Sequence, residues 1–120
     1  MRFISLVLVP LSLFCASPQY EDGKRLYRQH GCFGCHGRNL EGMHNYPYLA
    51  NRAKGYIKYK LERFRSKLSD NQQQEMMIPF AVGLSDKDIE NLTIYMNEFV
   101  PEDSKNRYDD SFHTHGHGGS

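Results

Sequence analysis

The chain reads as an all-α fold with three main helices. Three stretches, over residues 20–30, 51–68 and 85–100, space their apolar residues at helical intervals. No stretch alternates apolar and polar residues as a half-buried strand would, and no internal repeat is present. A length of 120 residues suits one small domain. Only 39% of the residues are hydrophobic, and a domain this small commonly needs a staple or a cofactor to bury enough apolar surface. The formal net charge of +1 provides no bulk field that would draw nucleic acid or a membrane surface.

Residues 1–17 read as a signal peptide. Arg2 supplies a positive start, and Ile4 to Phe14 is an apolar run of 11 residues, too short to span a bilayer. Cys15-Ala16-Ser17 is the small-residue processing stretch. Cys15 is assigned to the departing leader; a lipid anchor at Cys15 is the alternative, against which Phe14 stands where a lipidation motif wants a small residue. The mature chain then holds two cysteines, Cys32 and Cys35, in an exported, periplasmic setting.

The first helix covers 20–30, with Tyr20, Gly23, Tyr27 and His30 on one face and Leu26 beside them. Glycine costs a helix about 1 kcal/mol against alanine, so Gly23 predicts the close approach of another helix. Gly31 breaks the helix, and Cys32-Phe33-Gly34-Cys35-His36 follows. Cys-x-x-Cys-His is the attachment pattern of a c-type haem. Each thiol can form a thioether to a haem vinyl group, and the adjacent imidazole reaches the iron. A bare Cys-x-x-Cys also serves disulfide exchange and zinc. The first lacks its βαβ setting here, and the second would draw on histidines of a glycine-rich tail that imposes no geometry.

Residues 37–50 read as a loop rich in turn formers, among them Gly37, Gly42, Asn45 and Pro47. Asn51 is placed as the N-cap of the second helix, whose Ala53, Ile57, Leu61, Phe64 and Leu68 form an apolar stripe. Its other face carries Arg52, Lys54, Lys58, Lys60, Arg63, Arg65 and Lys67 against Glu62 alone. Residues 69–83 read as a long functional loop containing Met76, Met77 and Pro79. Ser85-Asp86-Lys87-Asp88 resembles a capping box for the last helix. That helix buries Ile89, Leu92, Met96 and Phe99 with Tyr95 beside them, and Pro101 stops it. Residues 102–120 are polar, end in a His- and Gly-rich run, and read as a disordered tail.

In an electron-transfer cytochrome the iron takes two protein ligands, and a methionine thioether opposite the histidine raises the reduction potential. His36 is one ligand. Met43 stands too close to it in sequence to reach the other face, and Met96 belongs to a buried stripe. Met76 and Met77, about 40 residues further on, are left for the second position.

Three blocks carry a family resemblance: Gly31-Cys32-Phe33-Gly34-Cys35-His36-Gly37, Pro47-Tyr48-Leu49-Ala50, and Met77-Ile78-Pro79-Phe80-Ala81-Val82-Gly83-Leu84-Ser85-Asp86. Through them residues 19–100 resemble the class I monohaem cytochromes c of bacteria. The resemblance implies a small class I cytochrome c fold, with loops and helices wrapped around one covalently attached haem c. It implies Met77 as the second iron ligand, since the family's methionine stands seven residues before the leucine that precedes the last helix, here Leu84. It also implies that the Pro47 carbonyl accepts the Nδ1–H of His36, and that Gly23 and Tyr27 cross the last helix near Leu92 and Tyr95. One departure is the five-residue step from Tyr27 to Cys32, where many relatives have four; it leaves open whether a small bulge precedes the motif and does not alter the assignment.

The site is thus expected to comprise Cys32, Cys35, His36, Met77 and Pro47, with His36 and Met77 on the iron. The expected function is periplasmic one-electron transfer without substrate turnover. Redox proteins are the expected partners, docking on the basic helix of residues 51–68, with neither nucleic acid nor stable membrane insertion of the mature chain. A haem subunit of a larger oxidoreductase is one alternative. A haem protein with a labile sixth site, acting as peroxidase or sensor, is the other.

Overall fold

A computed structural model describes residues 17–102. The expected leader and tail lie outside the described residues apart from Ser17 and Glu102 at their edges, and so do Cys15 and the tail histidines. The described residues contain six helices and no strand: α1 (Pro18–Gln29), α2 (Phe33–His36), α3 (Lys54–Arg65), α4 (Gln72–Glu75), α5 (Ile78–Ala81) and α6 (Asp86–Asn97).

The α1 helix starts two residues earlier than its apolar pattern predicts, because Ser17 caps it: its hydroxyl accepts from the Tyr20 N–H, and Pro18 enters the first turn, where no amide donor is needed. The helix ends in a Schellman closure. Gly31 takes a left-handed φ of 70°, its N–H bonds Arg28 O, and the Cys32 N–H bonds Tyr27 O. The five-residue step from Tyr27 to Cys32 is this closure, and it leads directly into α2. The haem motif is therefore itself helical.

The α3 helix corrects two expectations. Asn51 is not its N-cap; it adopts a left-handed φ of 59°, and the helix begins at Lys54 with no side-chain cap on Ala53. The helix also stops at Arg65, short of Leu68. Lys67 turns left-handed at φ 62°, its N–H bonds Phe64 O, and the Leu68 N–H bonds Arg63 O, a second Schellman closure built without glycine. Ala53 and Leu68 fall outside the helix and are exposed, so the buried stripe is Ile57, Leu61 and Phe64.

The span 69–83 holds two one-turn helices where a structureless loop was expected. Asn71 Oδ1 accepts from the Gln74 N–H and starts α4, and Pro79 sits in the first turn of α5. The capping box of α6 is present in both directions, Ser85 to the Asp88 N–H and Asp88 to the Ser85 N–H. That helix ends at Asn97, before Pro101.

The core forms where α1 and α6 cross. A Cβ on Gly23 would stand 2.1 Å from Asn91 O, so only glycine permits this approach. Tyr95 meets Tyr20 edge-on at a centroid distance of 5.1 Å and Phe99 at 5.7 Å, with Tyr27 tilted against it at 5.6 Å. Leu26, Ile89, Leu92 and Met96 complete the crossing. The segment 37–50 is tied in by Leu40, which is fully buried despite a left-handed φ of 54° and accepts from the Leu49 and Ala50 amides.

Candidate functional site

The α2 turn brings Cys32, Cys35 and His36 together. Its exit is locked by the buried Tyr27 hydroxyl, which donates to Gly37 O at 2.6 Å. Burial pushes the Tyr27 phenol well above its ordinary range, so it remains a donor at all physiological pH. Both cysteines are free thiols and partly buried, and burial raises the Cys32 thiol to about 11.

His36 is buried, and its Nδ1 lies 2.8 Å from Pro47 O. A carbonyl oxygen can only accept, so the ring carries its proton on Nδ1 and keeps a lone pair on Nε2. Burial holds the imidazole below its usual pKa, outweighing the opposing bond to Pro47, and so favours the neutral form that can bind a metal.

One cavity of about 370 Å³ is lined by Cys32, Cys35, His36 and Pro47 together with Met76 and Met77. Ile57, Leu61 and Phe64 from α3 and Leu92 and Met96 from α6 supply apolar walls. This volume falls in the roughly 300–1,000 Å³ range of small-molecule sites. Two free thiols, an imidazole of fixed tautomer, a thioether and a hydrocarbon lining are the donors and surroundings that a covalently attached haem requires, so the residues present fit the group. A larger hollow of about 540 Å³ lies beside α1 and α6, lined by Tyr20, Lys24, Arg28 and Arg38 among others. It contains no cysteine, histidine or methionine, so the chemistry belongs to the smaller cavity.

The two methionines differ in packing. Met76 is 53% exposed, whereas Met77 is partly buried and packs against the core cluster. Met77 joins α4 to α5, its N–H bonded to Gln74 O and its carbonyl accepting from the Phe80 and Ala81 amides. Met43 and His44 are exposed and do not line the cavity, while His30 does. Sequence reasoning missed Arg52 as a cavity residue, having assigned it to the solvated basic face.

That basic face is largely paired. Lys54 meets Glu98, Lys58 meets Glu62, Lys60 and Arg63 share Asp70, and Arg65 meets Asp86. These are mostly exposed contacts, each of small energetic weight. Among the described residues, no helix is long and apolar enough to cross a membrane.

The family model described as Cytochrome c matches residues 20–99. The chain is 34% identical over 82 residues to cytochrome c-554(547) of Halothiobacillus neapolitanus, a match covering 62% of this chain and 89% of that protein. It is 31% identical over 65 residues to cytochrome c-554(548) of Halomonas halodenitrificans, covering 53% and 78%. It is 33% identical over 87 residues to a thiosulfate dehydrogenase electron acceptor of Stutzerimonas stutzeri (strain A1501), covering 65% of this chain but only 39% of that longer protein. The Cys-x-x-Cys-His cavity and these likenesses converge: the chain belongs to the cytochrome c family, as a class I monohaem electron carrier with one covalent haem c and no enzymatic turnover.

Proposed function

We propose that the protein is a periplasmic one-electron carrier in which Cys32 and Cys35 would hold the haem through thioether bonds and His36 and Met77 would bind its iron. When bound, the haem supplies a one-electron Fe(III)/Fe(II) couple. The chain's own residues hold it, keep water from it and fix the ligand geometry. Pro47 O keeps the His36 ring oriented through Nδ1, so Nε2 remains free for iron. Leu61, Phe64, Leu92 and Met96 keep the surroundings apolar. Met77 is chosen over Met76 because a partly buried thioether packed on the core is held in place, whereas Met76 is exposed.

The observation that carries this reading is the single cavity shared by both thiols, the imidazole with its committed Nδ1, and Met77. Residues 1–17 serve as the export leader, 18–101 as the haem domain and 102–120 as the tail. Because Ser17 caps α1, a leader cut just before it keeps that cap and a cut just after it removes it. A relative named as the electron acceptor of a thiosulfate dehydrogenase supports an oxidoreductase as the donor. The basic helix is the docking side.

Optical spectroscopy tests the ligand set. The oxidised protein should show the weak band near the red end of the spectrum that thioether ligation produces. Met77→Ala should abolish it and open the reduced iron to CO, while Met76→Ala should keep it. A band that survives in Met77→Ala would overturn the assignment. Ready CO binding by the unmodified reduced protein would instead favour an open sixth site.

A further inference from the structure

The hollow beside α1 and α6 is built around the point where the chain leaves the described residues. It has a volume of about 540 Å³ and is walled by the rings of Tyr20, Tyr27, Tyr95 and Phe99. The Val100 N–H donates to the Tyr20 hydroxyl at 3.3 Å. Two residues on, the Glu102 carboxylate pairs with Lys24 and with Arg28, the latter at 3.7 Å. The chain after α6 is thus drawn along the hollow, and Glu102 is itself part of the lining.

Charge and apolar surface are both left over on this lining. Lys24, Arg28 and Arg38 stand against one carboxylate, that of Glu102, so positive charge is in excess. Arg38 is exposed and belongs to none of the ion pairs among the described residues. Phe33 and Val100, also on the lining, are 40% and 52% exposed, large fractions for apolar side chains. A cationic hollow with open apolar surface suits an acidic segment that carries an aromatic ring.

We propose that this hollow seats the chain's own Tyr108-Asp109-Asp110. Residues 103–120 follow directly from Glu102 and lie outside the described residues. Their carboxylates are Asp103, Asp109 and Asp110, against Lys105 and Arg107, and only the triplet at Tyr108 joins an aromatic ring to two adjacent acids. The stretch from Glu102 to Tyr108 can span up to about 20 Å. That is enough to turn back across a hollow beside one helix, itself roughly 10–12 Å wide. In this seat the Tyr108 ring covers Phe33 and Val100, and Asp109 and Asp110 meet Arg38 and Arg28. The seat rests on the surface of the fold and not on the iron ligands. It ties the acidic triplet to α1 and the haem motif rather than to the basic face of α3.

The test uses the full-length, haem-loaded protein with residues 103–120 in place. NMR of the reduced protein should show cross-relaxation between the Tyr108 and Phe33 rings, at an intensity independent of protein concentration. Its absence overturns the proposal. Cross-relaxation that fades on dilution would assign the hollow to the tail of a second copy, and that also overturns it. Trypsin cleavage after Arg107, followed by mass spectrometry, provides a second readout. Arg38→Gln, remote in sequence from the cut, should speed this cleavage about threefold, the weight of one exposed ion pair acting on the open population. Arg38→Lys, which keeps the charge, should restore most of the protection. Equal rates in all three proteins would remove the charge contact on which the seat depends, and the proposal with it.

Discussion

The Tyr27 hydroxyl shows how much one atom can hold. It joins the α1 helix to the residue that leaves the haem motif, and both ends of the bond are buried. Tyr27→Phe keeps the ring packing against Tyr95 but leaves Gly37 O without its donor. The expected loss is about 1–3 kcal/mol in denaturant unfolding of the haem-loaded protein, and unchanged stability would contradict this role. At this scale the legible residues are those whose chemistry is written in a short spacing. Cys32, Cys35 and His36 stand out at once, and Pro47 and Met77 follow from the family pattern around them. Leu40 does not stand out, because a single buried leucine inside a run of turn formers has no period. Arg52 was hidden for a different reason: among seven basic residues on one segment, nothing in the sequence distinguishes the one that turns inward.

At the scale of elements, the α1–α6 crossing is the most demanding contact. Gly23 lets the two backbones meet, and a methyl group there would press on the carbonyl of Asn91, which cannot move without disturbing α6. Gly23→Ala should therefore destabilise the haem-loaded protein by about 1–3 kcal/mol, despite alanine's better helix propensity. A thermal midpoint equal to or above that of the unmodified protein would show that the helices can separate at no cost. The crossing was legible because glycine in a helix needs a reason. Helix ends were less so. The α1 closure at Gly31 uses the expected residue, whereas the α3 closure places Lys67 in a left-handed conformation that its side chain gives no cause to expect. The one-turn helices α4 and α5 are too short for any apolar stripe, and only the Asn71 cap announces the first of them.

For the molecule as a whole, charge decides how a partner is met. The seven cations of residues 51–68 face four carboxylates, Glu62, Asp70, Asp86 and Glu98, so an excess of three positive charges remains on that side. Association with an acidic redox partner should slow as salt rises from low to physiological strength, but by less than seven free charges would give. Stopped-flow rates that ignore salt would remove this side as the docking surface. The α6 helix has a further consequence for biogenesis. It supplies Leu92 and Met96 to the cavity and is the last described helix in chain order. Without it the cavity around Cys32 and Cys35 would lack the walls that Leu92 and Met96 supply. A porphyrin joined to both sulfurs before this helix docks would sit in an open vessel, and docking of the final helix would then close it over the cargo.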